Sequence, residues 1–494
     1  MIRPVSRRHF LRTSTAALAG SFAVPNLVLG KLGVARPMTR TLGRTGLEVT
    51  TLGLGGQASL QWTPADVDPV PIIVKALEAG VNYFDTSNVY GPSQENFGKA
   101  FRQMNLVPGL PGYDERRRRS IYLASKTMVR HAKGSQPGIR DATQAPPGSK
   151  AVDDLRRTLT QIFGDGRGHY ADGAYLDLFL IHNLNTMAEV DAIYHGLDDP
   201  DPAAERIGAL AALRDYRDGT NRTGLNPNEE KRIGHVGISG HSSSPVMIEC
   251  LQRDEHDLIG AMLIAINAND RLYLNHQHNA IAVAAAKNVG QIAMKVFADG
   301  AMYTKPARWT RNSDDVVRTV GDPELPSRPL VEYALSTPGI ATAIIGIGQI
   351  GAEARECQLA QNLSASQVRP DSLDEGDRET VERLARRAKE GETNWFQLAA
   401  RPLGPPREPA AEVIRRDDGP QVRLTWHMAY AADAPITHYE VRRGDAPIGR
   451  VDHRPQTTKA PFTFTAPLAG EGEAFRVVTV DAAGRRAESE AVAV

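Results

Sequence analysis

The chain has 494 residues with 58 basic against 58 acidic side chains, so its formal net charge is zero and it has no need of a nucleic-acid partner for a broad basic surface. Two cysteines, Cys250 and Cys357, are too few for a disulfide scaffold or an iron-sulfur cluster, and both fall in helix-like segments as buried thiols. The length exceeds one ordinary domain, so a second is expected.

The first motif is Ser6-Arg7-Arg8-His9-Phe10-Leu11-Arg12, followed by the small and apolar run TSTAALAGSFAVPNLVLG. Gly20, Pro25 and Asn26 interrupt that run, which is too short for a membrane span. The pattern resembles a twin-arginine export peptide. The resemblance implies that residues 1–37 are read by the twin-arginine export machinery and that the folded protein reaches the periplasm or cell envelope.

Behind this segment, TRTLGRTGLEVT reads as a short hairpin turning between Gly43 and Gly46. From residue 49 to about 364, strand-like apolar runs alternate with helix-period segments. The strands are VTTLGLGG (49–56), VNYFDTS (81–87), SIYLASKT (120–127), YLDLFLIH (175–182), RIGHVGISG (232–240), LIGAMLIAI (258–266), GQIAMKVF (290–297) and ATAIIGIG (341–348). Between them lie amphipathic stretches such as VPIIVKALEAG, KAVDDLRRTLTQIFG, PAAERIGALAALRDYRDG and SRPLVEYALSTPG, several closed by a glycine suited to a left-handed C-cap. Eight such units predict an α/β fold, a TIM (β/α)8 barrel over residues 38–400, with chemistry at the C-terminal strand ends. Insertions at 105–119, 129–149 and 301–325 are expected to build a substrate mouth, and Arg116 to Arg119 read as a solvated loop.

Four residues stand at or just past those strand ends: Asp85 with Tyr90 in VNYFDTSNVYG, Lys126 in SIYLASKT and His182 in LDLFLIH. Singly they read as loop caps, a solvated strand end and a hydrogen-bonded core histidine. Together they match carbonyl reduction, which needs a proton on oxygen as well as a hydride on carbon. A free phenol, with a pKa of about 10, is a reluctant donor unless a cation lies nearby. The order and local contexts resemble the aldo-keto reductase family. That resemblance implies Tyr90 as proton donor, Lys126 as the cation lowering its pKa, Asp85 as the holder of Lys126, and His182 as the residue orienting the carbonyl.

No side chain supplies a hydride, so a cofactor is required. The resemblance implies NADP, with NAD also possible, extended across the barrel top against Gly55, Gly56 and Gly348. In the eighth unit Gln358 and Asn362 share a helical face and could reach an adenine edge, or simply form an exposed polar face; Arg355 could pair with a 2′-phosphate. Ser239 is available for the carboxamide, though Gly240 stands where the family commonly has asparagine. Asn267 is either a replacement amide or a turn residue. Met294 could cover the nicotinamide ring, and Lys295 either meets the pyrophosphate or lines the rim. The combination of INAND with AMKV resembles a branch of the family that carries export signals.

After the helix-like SLDEGDRETVERLARRAKEG and a proline-rich linker at 401–409, short alternating strands fill residues 410–494. Trp426, Tyr439 and Phe475 are expected as the aromatic centre of a small all-β sandwich. This part resembles a fibronectin type III module, with envelope or carbohydrate contact as a possible role. The sequence thus points to an exported oxidoreductase acting on a small carbonyl or alcohol; the alternative is a non-catalytic nucleotide-binding or envelope-interaction protein on the same scaffold.

Overall fold

The computed structural model describes residues 37–319, 321–351, 357–417, 419–468, 470 and 472–494. The export-like segment before Pro37 and Arg355 lie outside the described residues. Eight strands close a barrel: β1 (Leu52–Gly55), β2 (Tyr83–Asp85), β3 (Tyr122–Thr127), β4 (Leu176–Ile181), β5 (Ile233–Gly240), β6 (Ile259–Ala265), β7 (Gly290–Met294) and β8 (Ile340–Gly346). Each is parallel to the next, and β8 returns to β1 with Ile344 beside Gly53 and Ile345 beside Leu54. Every residue of β4 and β6 is buried. One face fills the barrel and the other lies under helices, which is why these strands read as unbroken apolar runs and not as alternating ones.

The covering helices are α1 (Val70–Glu78), α2 (Ser93–Gln103), α3 (Ala151–Phe163), α4 (Met187–Tyr194), α5 (Ala209–Asp218), α6 (Ser244–Arg253), α7 (Ala280–Ala286), α8 (Ser327–Leu335), α9 (Gln358–Ala365) and α10 (Glu375–Arg386). Among the described residues none is long and apolar enough to cross a membrane. The helix expected from residue 202 starts only at Ala209, because Ile207 and Gly208 pair with His131–Lys133 in a separate antiparallel ribbon. Gly219 caps α5 in the left-handed region at φ +71, whereas Gly164 after α3 is at φ −74 and does not form such a cap.

The hairpin is present, but it takes Val49 and Thr50 from the expected first strand: Thr39–Thr41 pairs antiparallel with Glu48–Thr50. Gly43, at φ +49, lies so close to the start of β7 that a Cβ would stand 2.4 Å from Gly290 N. The hairpin therefore seals the N-terminal end of the barrel and leaves the other end for chemistry. Arg118 departs from the expected solvated loop. It is fully buried, pairs with Asp177 at 3.0 Å and lies 4.0 Å from the Tyr175 ring centroid.

The C-terminal region is a second, all-β domain whose first strand starts at Arg407, within the expected linker. One antiparallel sheet holds β9 (Arg407–Arg416), β10 (Gly419–His427) and β13 (Phe462–Pro467). The other holds β11 (Ile436–Arg443), β12 (Ala446–Asp452), β14 (Ala474–Asp481), β15 (Arg486–Glu488) and β16 (Val492–Ala493). The ring cluster between them is Trp426, Tyr439 and Phe462, with Tyr439 and Phe462 centroids 5.0 Å apart. Phe475 is buried too, but Arg443 lies at its ring instead. Asn279 joins the domains by donating to Ala431 O at 3.1 Å and accepting from Ala431 N at 2.9 Å.

Candidate active site

Asp85, Tyr90, Lys126 and His182 converge at the C-terminal end of the barrel. β2 ends on Asp85, and the chain then turns through Thr86 to Tyr90 before α2; β3 carries Lys126 and His182 follows β4. Lys126 is fully buried and donates to Asp85 Oδ1 and, at 2.8 Å, to Thr86 O. Its ammonium lies 4.8 Å from the Tyr90 ring centroid. The Tyr90 hydroxyl is 3.4 Å from His182 Nε2, and the two rings meet edge to face with centroids 5.6 Å apart. Ser87 Oγ holds the other imidazole nitrogen at 3.1 Å.

Burial controls the protonation of this cluster. It raises the Asp85 carboxyl and lowers the Lys126 ammonium, each against the attraction of its partner. Burial also takes His182 well below 6.5, and the positive charges of Lys126, Arg130 and Lys295 take it further, so the imidazole is neutral at pH 7. Tyr90 moves well above 10, first through burial and then through the carboxylates of Asp85 and Asp299. The Lys126 ammonium, paired with Asp85, lies at the Tyr90 ring, while burial and the two carboxylates set the direction of the phenol's shift.

Tyr90 lines an open cleft at this end of the barrel, the kind of concave surface that holds small molecules and cofactors. Gly55, Gly56, Met294, Lys295, Gln358 and Asn362 line it, as does Asp85. A Cβ on Gly56 would stand 2.4 Å from Asp85 O, so a side chain there has no room. Asn362 is buried with Oδ1 unpartnered, as an amide awaiting a donor would be. Lys295 and Asp299 also line the cleft and form an ion cluster with Lys305, which is not among the lining residues, with Lys295 Nζ 2.9 Å and Lys305 Nζ 2.6 Å from the carboxylate. Burial would raise Asp299, but the two lysines hold it at about 2. Gly56, Asn362 and Lys295 fit an extended dinucleotide: a backbone approach without a side chain, a free amide oxygen and a cation.

Other expected cofactor contacts are engaged within the protein. Ser239 Oγ accepts the Asn183 N–H at 2.9 Å and lies away from the cleft. Asn267 exchanges amide hydrogen bonds with Asn394, donates to Lys295 O at 3.0 Å and accepts from Asn269 N at 2.9 Å, so the turn reading holds. Gln358 Oε1 accepts from the Gly348 and Gln349 N–H groups, while its Nε2 donates to Val317 O and Thr319 O, both at 3.0 Å. Gln358 therefore pins the 301–325 insertion over the cleft, and Gly348 serves that pin instead of lining the wall.

Asp299, Lys305, Gln57 and Ser87 escaped the sequence reading. Lys295 and Asp299 stand four apart, a spacing that can signal a pair on a helix, but here the segment is irregular, with Lys295 at φ +61 and Asp299 at φ +57. Trp309 covers Lys295 at 4.8 Å and packs against His241, Trp395 and Phe396, which come from distant segments.

A closed parallel barrel with a Tyr, Lys, His and Asp cluster beside an elongated cleft defines a (β/α)8 protein with the equipment of a carbonyl reductase. The Aldo/keto reductase family model matches residues 51–367, well over half of the chain, and the chain belongs to that family. An aldo-keto reductase of Fusarium vanettenii is 32% identical over 90 residues, 17% of this chain and 24% of that protein. The AMT2 aldo-keto reductase of Alternaria alternata is 30% identical over 89 residues, again 17% and 24%. The chain thus spans about a quarter of the length of these curated relatives, 24% in each case. Among solved structures, the holo form of aldo-keto reductase AKR11C1 from Bacillus halodurans is 20% identical with a TM-score of 0.45, covering 70% of this chain and 96% of that one.

Proposed function

We propose that the protein is an exported oxidoreductase that interconverts a small carbonyl and an alcohol with NADP(H). The observation that carries this reading is the Tyr90 hydroxyl beside the cleft, 3.4 Å from a neutral imidazole and attached to a ring that lies over a buried ammonium. NADP(H), when bound, would supply the hydride. Tyr90 gives its proton to the carbonyl oxygen, and His182 orients that oxygen. For Nε2–H to point at the substrate, Nδ1 must accept, and the Ser87 hydroxyl is placed to donate to it. The phenolate left on Tyr90 is stabilised by the Lys126 ammonium at its ring, whose position Asp85 and Thr86 hold. Asn362, Gly55 and Gly56 would hold the nucleotide, and Lys295, which lines the cleft, would attract its phosphates.

Export rests on the Arg7-Arg8 motif and the apolar run behind it, and places the protein in the periplasm or envelope. We read the C-terminal domain as a fibronectin type III-like module, supported by its two antiparallel sheets and buried Trp426.

Tyr90→Phe keeps the ring and removes the proton. Turnover of a reducible aldehyde is expected to fall on the order of 100-fold or more with NADPH affinity retained. Equal turnover in the variant would sink the mechanism.

A further inference from the structure

Asn183, the residue after His182, stands at φ +58, a left-handed conformation that costs a non-glycine residue energy and persists where neighbours impose it. Its N–H donates to Ser239 Oγ at 2.9 Å and its side-chain oxygen faces His241 Nδ1 at 3.0 Å. Its carbonyl accepts from Asn185 Nδ2 and from Arg130 Nη2, both at 2.9 Å. Arg130 is the distant member of this set. It lies four residues past Lys126 with its side chain fully buried, and its other terminal nitrogen donates to Met128 O at 2.6 Å. A buried guanidinium is costly without a counterion, and Glu189 Oε1 supplies one at 3.2 Å. The other oxygen of Glu189 accepts from Asn185 N at 2.6 Å and Thr186 N at 3.3 Å, capping α4.

The geometry points to Arg130, held by Glu189, as a positioning residue for the reaction: its planar fork ties the end of β3, two residues past Lys126, to the end of β4, one residue past His182. It thereby sets the separation of the two side chains that flank Tyr90. An ammonium carries the same charge but cannot reproduce this in-plane fork across two carbonyls. Arg130 also adds positive charge beside His182. Burial and the charges of Lys126, His241, Arg130 and Lys295 favour the neutral ring, whose uncharged contacts are Tyr90 and Ser87.

The inference rests on His182 orienting the carbonyl, and the experiment separates the two. Removing Arg130 alone would strand the Glu189 carboxylate, so the main variant combines Arg130→Met with Glu189→Gln, which keeps an oxygen for the helix cap. Arg130→Lys keeps the charge without the fork. With 4-nitrobenzaldehyde and NADPH as probes, kcat is expected to fall about 10- to 100-fold in the double variant and less in Arg130→Lys. The NADPH dissociation constant, from fluorescence titration, should stay within about twofold. The His182 ring signals in nitrogen-15 histidine NMR should be displaced in both variants. Unchanged His182 signals in a folded variant overturn the inference; if the double variant does not fold, Arg130→Lys decides by the same signals. An NADPH dissociation constant that rises as far as kcat falls also overturns it, because that marks general loosening of the barrel top. If the unmodified protein binds NADPH but reduces no carbonyl, the functional reading fails, while the His182 signals still decide whether Arg130 places that ring.

Discussion

Lys295 joins backbone strain to charge at one residue. Its left-handed backbone is held by Asn267 donating to its carbonyl at 3.0 Å, and its ammonium is shared among Asp299, Gln57 and the Trp309 ring. An anion entering the cleft meets Lys295, at the cost of competing with Asp299. On the proposal that the protein is exported, a compartment not expected to supply a soluble NADP pool makes tight retention of nucleotide the expected behaviour. Protein purified from the envelope should still contain nucleotide after dialysis, and Lys295→Met should weaken NADPH binding on the order of 10-fold. Equilibrium dialysis measures this. Equal retention by the variant would remove Lys295 from phosphate binding.

Elements at the barrel top are joined by a buried carboxylate. Asp154 in α3 accepts from Thr127 Oγ1 at 2.6 Å, next to Lys126, and from Thr143 in the 129–149 insertion. Its backbone carbonyl holds Asn88 Nδ2 at 2.9 Å, within the loop that carries Tyr90. Burial, opposed by the two hydroxyls, raises the Asp154 carboxyl from 3.8 to about 6. Between those values the folded protein binds more protons than the unfolded chain, so this group's stabilisation is present below pH 4 and is lost as pH rises through 6. The effect is about 3 kcal/mol in all. Asp154→Asn should flatten that part of the dependence of Tm on pH between 4 and 7, read by calorimetry. An identical slope in the variant would show that the carboxyl does not titrate in this range. The alternation of apolar and helical periods made the insertion's borders legible in the sequence, but not its attachment to α3, because hydroxyl–carboxylate contacts leave no periodic trace.

At the scale of the molecule, the described residues form a barrel and a sandwich joined by polar contacts as well as a shared core. Besides Asn279, Gln252 Nε2 donates to Gln456 O at 2.7 Å and Lys459 pairs with Glu249, so α6 and α7 carry the sandwich. Arg7→Lys with Arg8→Lys is expected to leave the protein in the cytoplasm, because an ammonium lacks the guanidinium's planar donor set. Cell fractionation with immunoblotting reads the outcome, and continued export of the double variant would point to another route.

Periodicity and strand-end chemistry determined the barrel and the set of Asp85, Tyr90, Lys126 and His182, because both are local: a strand buried on two faces must be apolar, and its last residues project toward the open end. Gly55, Gly56, Met294, Lys295 and Asn362, which the resemblance assigned to the cofactor, line the cleft. What only the tertiary structure decided is where each polar group finds its partner. Ser239, Asn267 and Gln358 serve Asn183, Asn394 and the 317–319 backbone. Asp299 pairs with Lys295 and Lys305, and Arg130 reaches Asn183 across 53 positions of sequence. An amide or a guanidinium has the same letter whether it faces a ligand or a carbonyl of its own chain; the choice is made by burial and distance, which exist only once the strands have closed.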